Sequence, residues 1–168
     1  ERLQAEGSIL RVVAVDEDGI VDLDALEEAL DGATLASVMA VNNEIGSVQP
    51  LADIEALTTS FGVPFHSDIT QGVGRIDFSA RKSGVTYASL SSHKIYGPQG
   101  IGAAFVRKGA RRPRPLFAGG GQEQGLRPGT LPVAACVGFG AAARIAAERF
   151  DADGRHAGAM ARRMLSAI

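Results

Sequence analysis

Ser89-Leu90-Ser91-Ser92-His93-Lys94-Ile95-Tyr96-Gly97-Pro98-Gln99-Gly100 sets a lysine between a short apolar run, Val85 to Leu90, and a turn rich in glycine and proline. An apolar run of this length, bounded by turn formers, reads as a buried strand, and Ile101 to Val106 reads as another. A lysine amine attacks carbonyls only when it is partly deprotonated, and the mouth of a buried strand can lower its pKa. Lys94 therefore reads as a nucleophile. The alternative, from these residues alone, is a surface lysine in a loop.

Upstream, Ile9 to Val15 is β-branched and reads as a strand. Asp22 caps a helical pattern with Leu23, Leu26 and Leu30 on one face, and Gly32 stops it. Leu35 to Val41 is a further strand that ends at the turn formers Asn42-Asn43-Glu44-Ile45-Gly46. A helix over Leu51 to Phe61 precedes a strand over Val63 to His66, which Ser67-Asp68 closes; a short helical piece covers Ser79 to Lys82. Strands alternating with helices predict an α/β fold, a mostly parallel sheet with helices on both faces, because each parallel pair needs a crossover. Downstream, Gly119 to Thr130 is too rich in glycine for an element interior, so it crosses close to another backbone or wraps a ligand. Pro132 opens an alanine-rich helix to about Phe150, and Asp153 or Gly154 separates it from a last helix ending at Met164 or beyond.

The chain has 168 residues, 45% hydrophobic and 21% charged, enough for one domain with its own core. A net charge of -2 gives no electrostatic reason to expect nucleic acid or an anionic membrane as partner. The basic cluster Arg107, Lys108, Arg111, Arg112, Arg114 reads as a solvated connection, with a phosphate polymer as the lesser reading. The single cysteine, Cys136, excludes an internal disulfide and fits a reducing compartment; in the apolar run Val133 to Val137 it reads as a buried small hydrophobe. No segment is apolar and long enough to span a bilayer, and the polar start is unlike a secretion signal, so the cytoplasm is the expected location. No metal site is expected. The opening, Glu1 to Gly7, reads as mid-helix without an initiator methionine, which suggests a piece of something longer.

In an open parallel sheet, ligands sit beyond the carboxyl ends of the strands. Three of the expected strands end in polar residues there: Asn42-Asn43, then Asp68 with Gln71 just after, then Ser91-Ser92-His93-Lys94. Brought together, they supply an amine, a carboxylate, amides, hydroxyls and an imidazole, the set needed to hold pyridoxal phosphate (PLP). Lys94 would bond the cofactor aldehyde, and Asp68 would pair with the ring nitrogen and keep it protonated. Asn43 and Gln71 could hydrogen-bond the ring hydroxyl, and Ser91 and His93 could hold the phosphate. Plainer readings stay open: Asp68 as the cap of the following turn, Asn43 as a turn residue, His93 as a structural hydrogen-bonder, Ser91 as a polar strand end. The Gly97, Gly100, Gly102 spacing leads into a strand rather than a helix and is no dinucleotide fingerprint.

Four stretches, Val41 to Gly46, His66 to Gln71, Ser91 to Pro98 and Arg127 to Pro132, closely resemble the cysteine desulfurases, members of the class V aminotransferase group of fold-type I PLP enzymes. The resemblance implies residues 1-131 as the core of the PLP-binding large domain and 132-168 as C-terminal helices leading toward a small domain. It implies Lys94 as the PLP lysine, Asp68 on the ring nitrogen, Asn43 and Gln71 on the ring oxygen, and Ser91 and His93 on the phosphate. Thr130 matches a threonine that reaches the phosphate of a neighbouring subunit, which implies a homodimer; Arg127 reads as a loop-shaping or interface residue. The implied activity converts L-cysteine to L-alanine and passes the sulfur, through a persulfide, to an acceptor or scaffold protein for iron–sulfur or thio-cofactor assembly. Another class V enzyme, such as a selenocysteine lyase or an aminotransferase, and a non-catalytic scaffold are the rival readings. The family's persulfide cysteine and substrate-binding arginine lie C-terminal to this stretch, and Cys136 matches neither. The upstream phosphate-binding threonine and ring-stacking histidine are also missing. Ser67, and Ser92 where glycine is common, depart from the pattern, and whether Ile69 narrows the pocket is open. A stretch without its flanks is expected to expose apolar surface and associate non-natively.

Overall fold

Asp22 caps a helix as expected: its carboxylate accepts from the Asp24 and Ala25 N–H groups at 3.0 Å each, at the start of Leu23–Leu30, whose Leu26 and Leu30 are buried. In the computed structural model, which describes residues 2–168, this helix is α2, after a one-turn α1 over Arg2–Ala5. Glu1, the start of the expected opening helix, lies outside the described residues. Next along the chain come β1 (Ala36–Ser37), α3 (Leu51–Ser60), β2 (Phe65–Asp68), β3 (Tyr87–Ser91), a 3-10 helix over Ser92–Ile95, β4 (Gly102–Val106) and α4 (Val133–Leu165).

The sheet has four strands in the order β1-β2-β3-β4. β1, β2 and β3 run parallel, Ala36 opposite Phe65 and Asp68 opposite Ser89, and the β1 backbone stays bonded to β2 as far as Ala40 N–H to Asp68 O at 2.8 Å. β4 is antiparallel to β3, with Tyr87 opposite Val106. A parallel return needs a crossover of about a dozen residues or more; residues 92–101 hold only a 3-10 helix and a turn, so the chain folds straight back. The core lies where α2 and α3 meet the strands: Leu26, Leu30, Ile54, Phe65, Val85 and Ala88 are all buried in it.

Four expectations need correction. Ile9 to Val15 forms no strand, only a single bridge between Val15 and Val21; Ile9 and Val12 are 88% and 86% exposed, with no neighbouring strand to pair among the described residues. Ser79 to Lys82 is a turn closed by Lys82 N–H on Ser79 O, not a helical piece. The C-terminal segment is one helix, unbroken at Asp153 or Gly154. A glycine inside a helix costs about 1 kcal/mol against alanine, and the bidentate Arg149–Asp153 pair spans the turn before it. Cys136 is exposed rather than buried: α4 turns Gly138, Ala142 and Ala146 toward Pro98, Gly97 and Gly74, and Cys136 lies off that stripe.

That packing is tight. A Cβ at Gly97 would run into Ser92 Oγ, with Ala142 Cβ at 3.0 Å. A Cβ at Gly138 would meet Pro98 Cγ at 2.7 Å. Elsewhere the chain is open: its accessible surface is 11804 Å² for 17.4 kDa, about half as much again as a compact chain of that mass exposes. Leu116 and Phe117, at 77% and 61% exposed, contribute to that excess, which is surface of the kind a larger assembly buries.

Ser67 and Ser92 are fully buried, and neither hydroxyl has a hydrogen-bond partner. In the full-length protein, Ser67→Ala should leave stability unchanged or raise it by about 1 kcal/mol, because a buried orphan hydroxyl is removed. Gly97→Ala should lower it by about 1–3 kcal/mol through overpacking. Denaturant unfolding reads both; equal losses for the two variants would contradict this packing account.

Candidate functional site

Parallel strands in matched register end along one edge, and just beyond that edge lies a cleft of about 280 Å³ lined by Met39, Val41, Asn43, Asp68, Thr70, Gln71 and Lys94. Each strand delivers its residues by a different local device. After β1, Asn42 Oδ1 accepts from Glu44 N–H at 2.8 Å and Ile45 N–H at 3.1 Å, while Asn42 N–H donates to Ser47 O; this tight turn leaves Asn43 at the rim. After β2, Asp68 Oδ1 accepts from Thr70 N–H at 2.8 Å. Asp68 thus caps its turn and fronts the cleft at once, since a carboxylate has acceptor capacity to spare. After β3, the 3-10 helix carries Lys94 into the cleft and ends on Tyr96, held at φ 63 with its N–H on Ser92 O.

Of the seven residues singled out in the sequence, the structure brings Asn43, Asp68, Gln71 and Lys94 together around the cleft. Ser91 and His93 pair with each other, Oγ to Nδ1 at 2.8 Å, beside the start of the lysine turn and outside the cleft lining. Thr130 is exposed in its loop and does not line the cleft. Ile69 points into the core, 5% exposed, so it does not narrow the cleft. Met39, Val41 and Thr70 were not read from the sequence as lining residues, although their closeness to strand ends was available as a signal. Arg75 was missed for a different reason: it donates to the backbone carbonyls of Lys94 at 3.0 Å and Gln71 at 3.4 Å, and carbonyl contacts leave no residue pattern.

The chemistry of the lining suits a flat, polar, anionic aldehyde such as PLP. One amine and one carboxylate share a small cleft with an amide pair on the rim and an apolar flank from Met39 and Val41. Hydroxyl and imidazole donors stand next in the chain.

His66 alternates with Asp68 on the same face of β2 and pairs its Nδ1 with Ser37 Oγ at 2.8 Å. Burial pushes its pKa below the ordinary 6.5, with the nearby Asp68 carboxylate opposing the shift. A histidine whose folded pKa is depressed contributes stability that is present above its unfolded value and lost as pH falls through the folded one. The imidazole resonance of His66, followed by NMR in the full-length protein, should therefore titrate below 6.5, and stability should decline on acidification through that window. A midpoint above 6.5 would contradict the account.

Comparison with known proteins bears on the same residues. The family model for aminotransferase class-V matches residues 1–168. A cysteine desulfurase IscS from Rickettsia bellii is 46% identical over 168 residues, 99% of this chain and 41% of the relative. Among solved structures, a NifS-like protein superposes with a TM-score of 0.94 at 39% identity, covering 98% of this chain and 46% of that one. A structure described as SspA in complex with cysteine superposes with a TM-score of 0.81 at 37% identity, covering 85% of this chain and 42% of that one. The chain spans about two fifths of the length of the curated relatives it matches. With the family model matched end to end and the fold shared, the chain belongs to the aminotransferase class-V family.

Proposed function

We propose that this chain is the central part of the large domain of a PLP-dependent cysteine desulfurase, with residues 1–131 forming the cofactor-binding core and 132–168 leading toward the rest of the protein. The convergence of Lys94 and Asp68 on one cleft at the carboxyl edge of the parallel strands carries this reading. The similarity to a cysteine desulfurase supports the substrate, L-cysteine, and the solved relative described with cysteine agrees with it; sulfur for iron–sulfur or thio-cofactor assembly is the destination that the family resemblance implies.

When bound, PLP supplies an aldehyde and an electron-withdrawing ring. Among the described residues Lys94 is the one amine lining the cleft; its Nζ would hold the cofactor aldehyde and, when free, could move a proton at the substrate carbon. The Asp68 carboxylate would pair with the ring nitrogen and favour its protonated form by its charge. Asn43 and Gln71 would orient the ring from the rim, and Ser91 with His93 would hold the phosphate. Among the described residues no thiol lines the cleft; the family resemblance implies that the cysteine that accepts sulfur lies in another part of the full protein. We assign the working protein to a cytoplasmic homodimer, with Thr130 reaching the partner's phosphate site. Among the described residues, no helix is long and apolar enough to cross a membrane.

Borohydride reduction of the full-length protein loaded with PLP, followed by peptide mass spectrometry, should place a single pyridoxyl group on Lys94. Lys94→Ala should abolish alanine release from cysteine, and Asp68→Asn should keep the cofactor but slow release on the order of a hundredfold. Alanine release by Lys94→Ala at the wild-type rate would overturn the proposal; turnover of another amino acid in preference to cysteine would favour a different class V activity.

A further inference from the structure

The last carbonyls of a helical turn have no partner within it and need a donor from outside. At the lysine turn the usual donors are taken or missing: Gly97 N–H goes to Ser92 O, and Pro98 has no N–H. The carbonyl of Lys94 is met instead by Arg75 Nη2 at 3.0 Å, while Nη1 of the same guanidinium reaches Gln71 O at 3.4 Å. Gln71 and Lys94 both line the cleft, and they come from the loops after two different strands.

We propose that Arg75 is a positioning residue for Lys94, a staple that fixes the backbone of the lysine turn against the Asp68–Gln71 loop. The inference rests on the proposed role of Lys94 in holding the cofactor. A planar fork with several donors suits two carbonyls at once, and its charge strengthens both bonds. The packing beneath agrees: Gly74 sits at φ +72, where a Cβ would lie 3.8 Å from Ile95 Cγ2 and 3.1 Å from Ala146 Cβ, so the Arg75 loop is seated on the residue after Lys94. With Ile95 buried and Tyr96 held left-handed, the turn is fixed on its far side by packing, and on the Lys94 side by the guanidinium. Arg75 itself is exposed and does not line the cleft, so it acts through Lys94 and not on the substrate.

The test uses the full-length protein with PLP and two variants, Arg75→Met, which keeps the aliphatic stem without donors, and Arg75→Lys, which keeps a cation. A small misplacement of a reacting group costs rate and not ground-state binding. Arg75→Met should therefore lower kcat on the order of tenfold with KM within about twofold. It should also slow borohydride trapping of pyridoxyl on Lys94, and Arg75→Lys, which keeps the charge but not the fork, should recover both in part. Wild-type kcat and trapping in Arg75→Met, an Arg75→Lys as impaired as Arg75→Met, or a loss that only tracks the unfolded fraction would each overturn the inference. Failure of the wild type to trap pyridoxyl on Lys94 would take down the cofactor reading and this inference together, whereas normal trapping in both proteins would remove this inference alone.

Discussion

The parallel register of three strands is the constraint on which the rest depends. Asp68 O accepts from Ala40 N–H, and Asp68 lies opposite Ser89, so the chain leaves β1, β2 and β3 at nearly one level. Each strand then runs into a short turn, too short to carry its side chains elsewhere. An amine, a carboxylate and amides distant in sequence meet because the backbone ladder leaves them no other place. A slip of one residue in β2 would turn Asp68 from the cleft toward the core, where Phe65 and Ser67 now point.

Close packing around the lysine turn is the second layer of the same device. Gly97 admits Ser92 and Ala142, Gly138 admits Pro98, and α4 thereby lies directly against the segment that carries Lys94. A lysine on a turn would ordinarily be mobile. Here the turn is locked by a helix on one side and by Arg75 on the other.

Much of this was legible in the sequence, for identifiable reasons. The cap at Asp22, the stop at Gly32 and the apolar runs before Asp68 and Lys94 depend on local chemistry, and they appear where local chemistry puts them. Ile9 to Val15 failed because β-branched residues mark fitness for a sheet and not the presence of a neighbour to pair with. The break at Gly154 failed because one glycine is a modest cost that i,i+4 ion pairs and a long helix absorb. Cys136 looked buried from its apolar neighbours, but in a helix the face decides, and its face is turned outward. At the site, residue types at strand ends pointed to Asn43, Asp68, Gln71 and Lys94, while the staple from Arg75 runs to backbone carbonyls and so leaves no trace in residue type.

The claim that these strand ends form one cofactor site is tested most directly by a crystal structure of the full-length protein with PLP. The account predicts continuous density from Lys94 Nζ to the cofactor, with an Asp68 carboxylate oxygen within hydrogen-bond distance of the ring nitrogen and the Arg75 guanidinium on the Lys94 carbonyl. A cofactor seated away from this cleft, or bonded to another lysine, would contradict it.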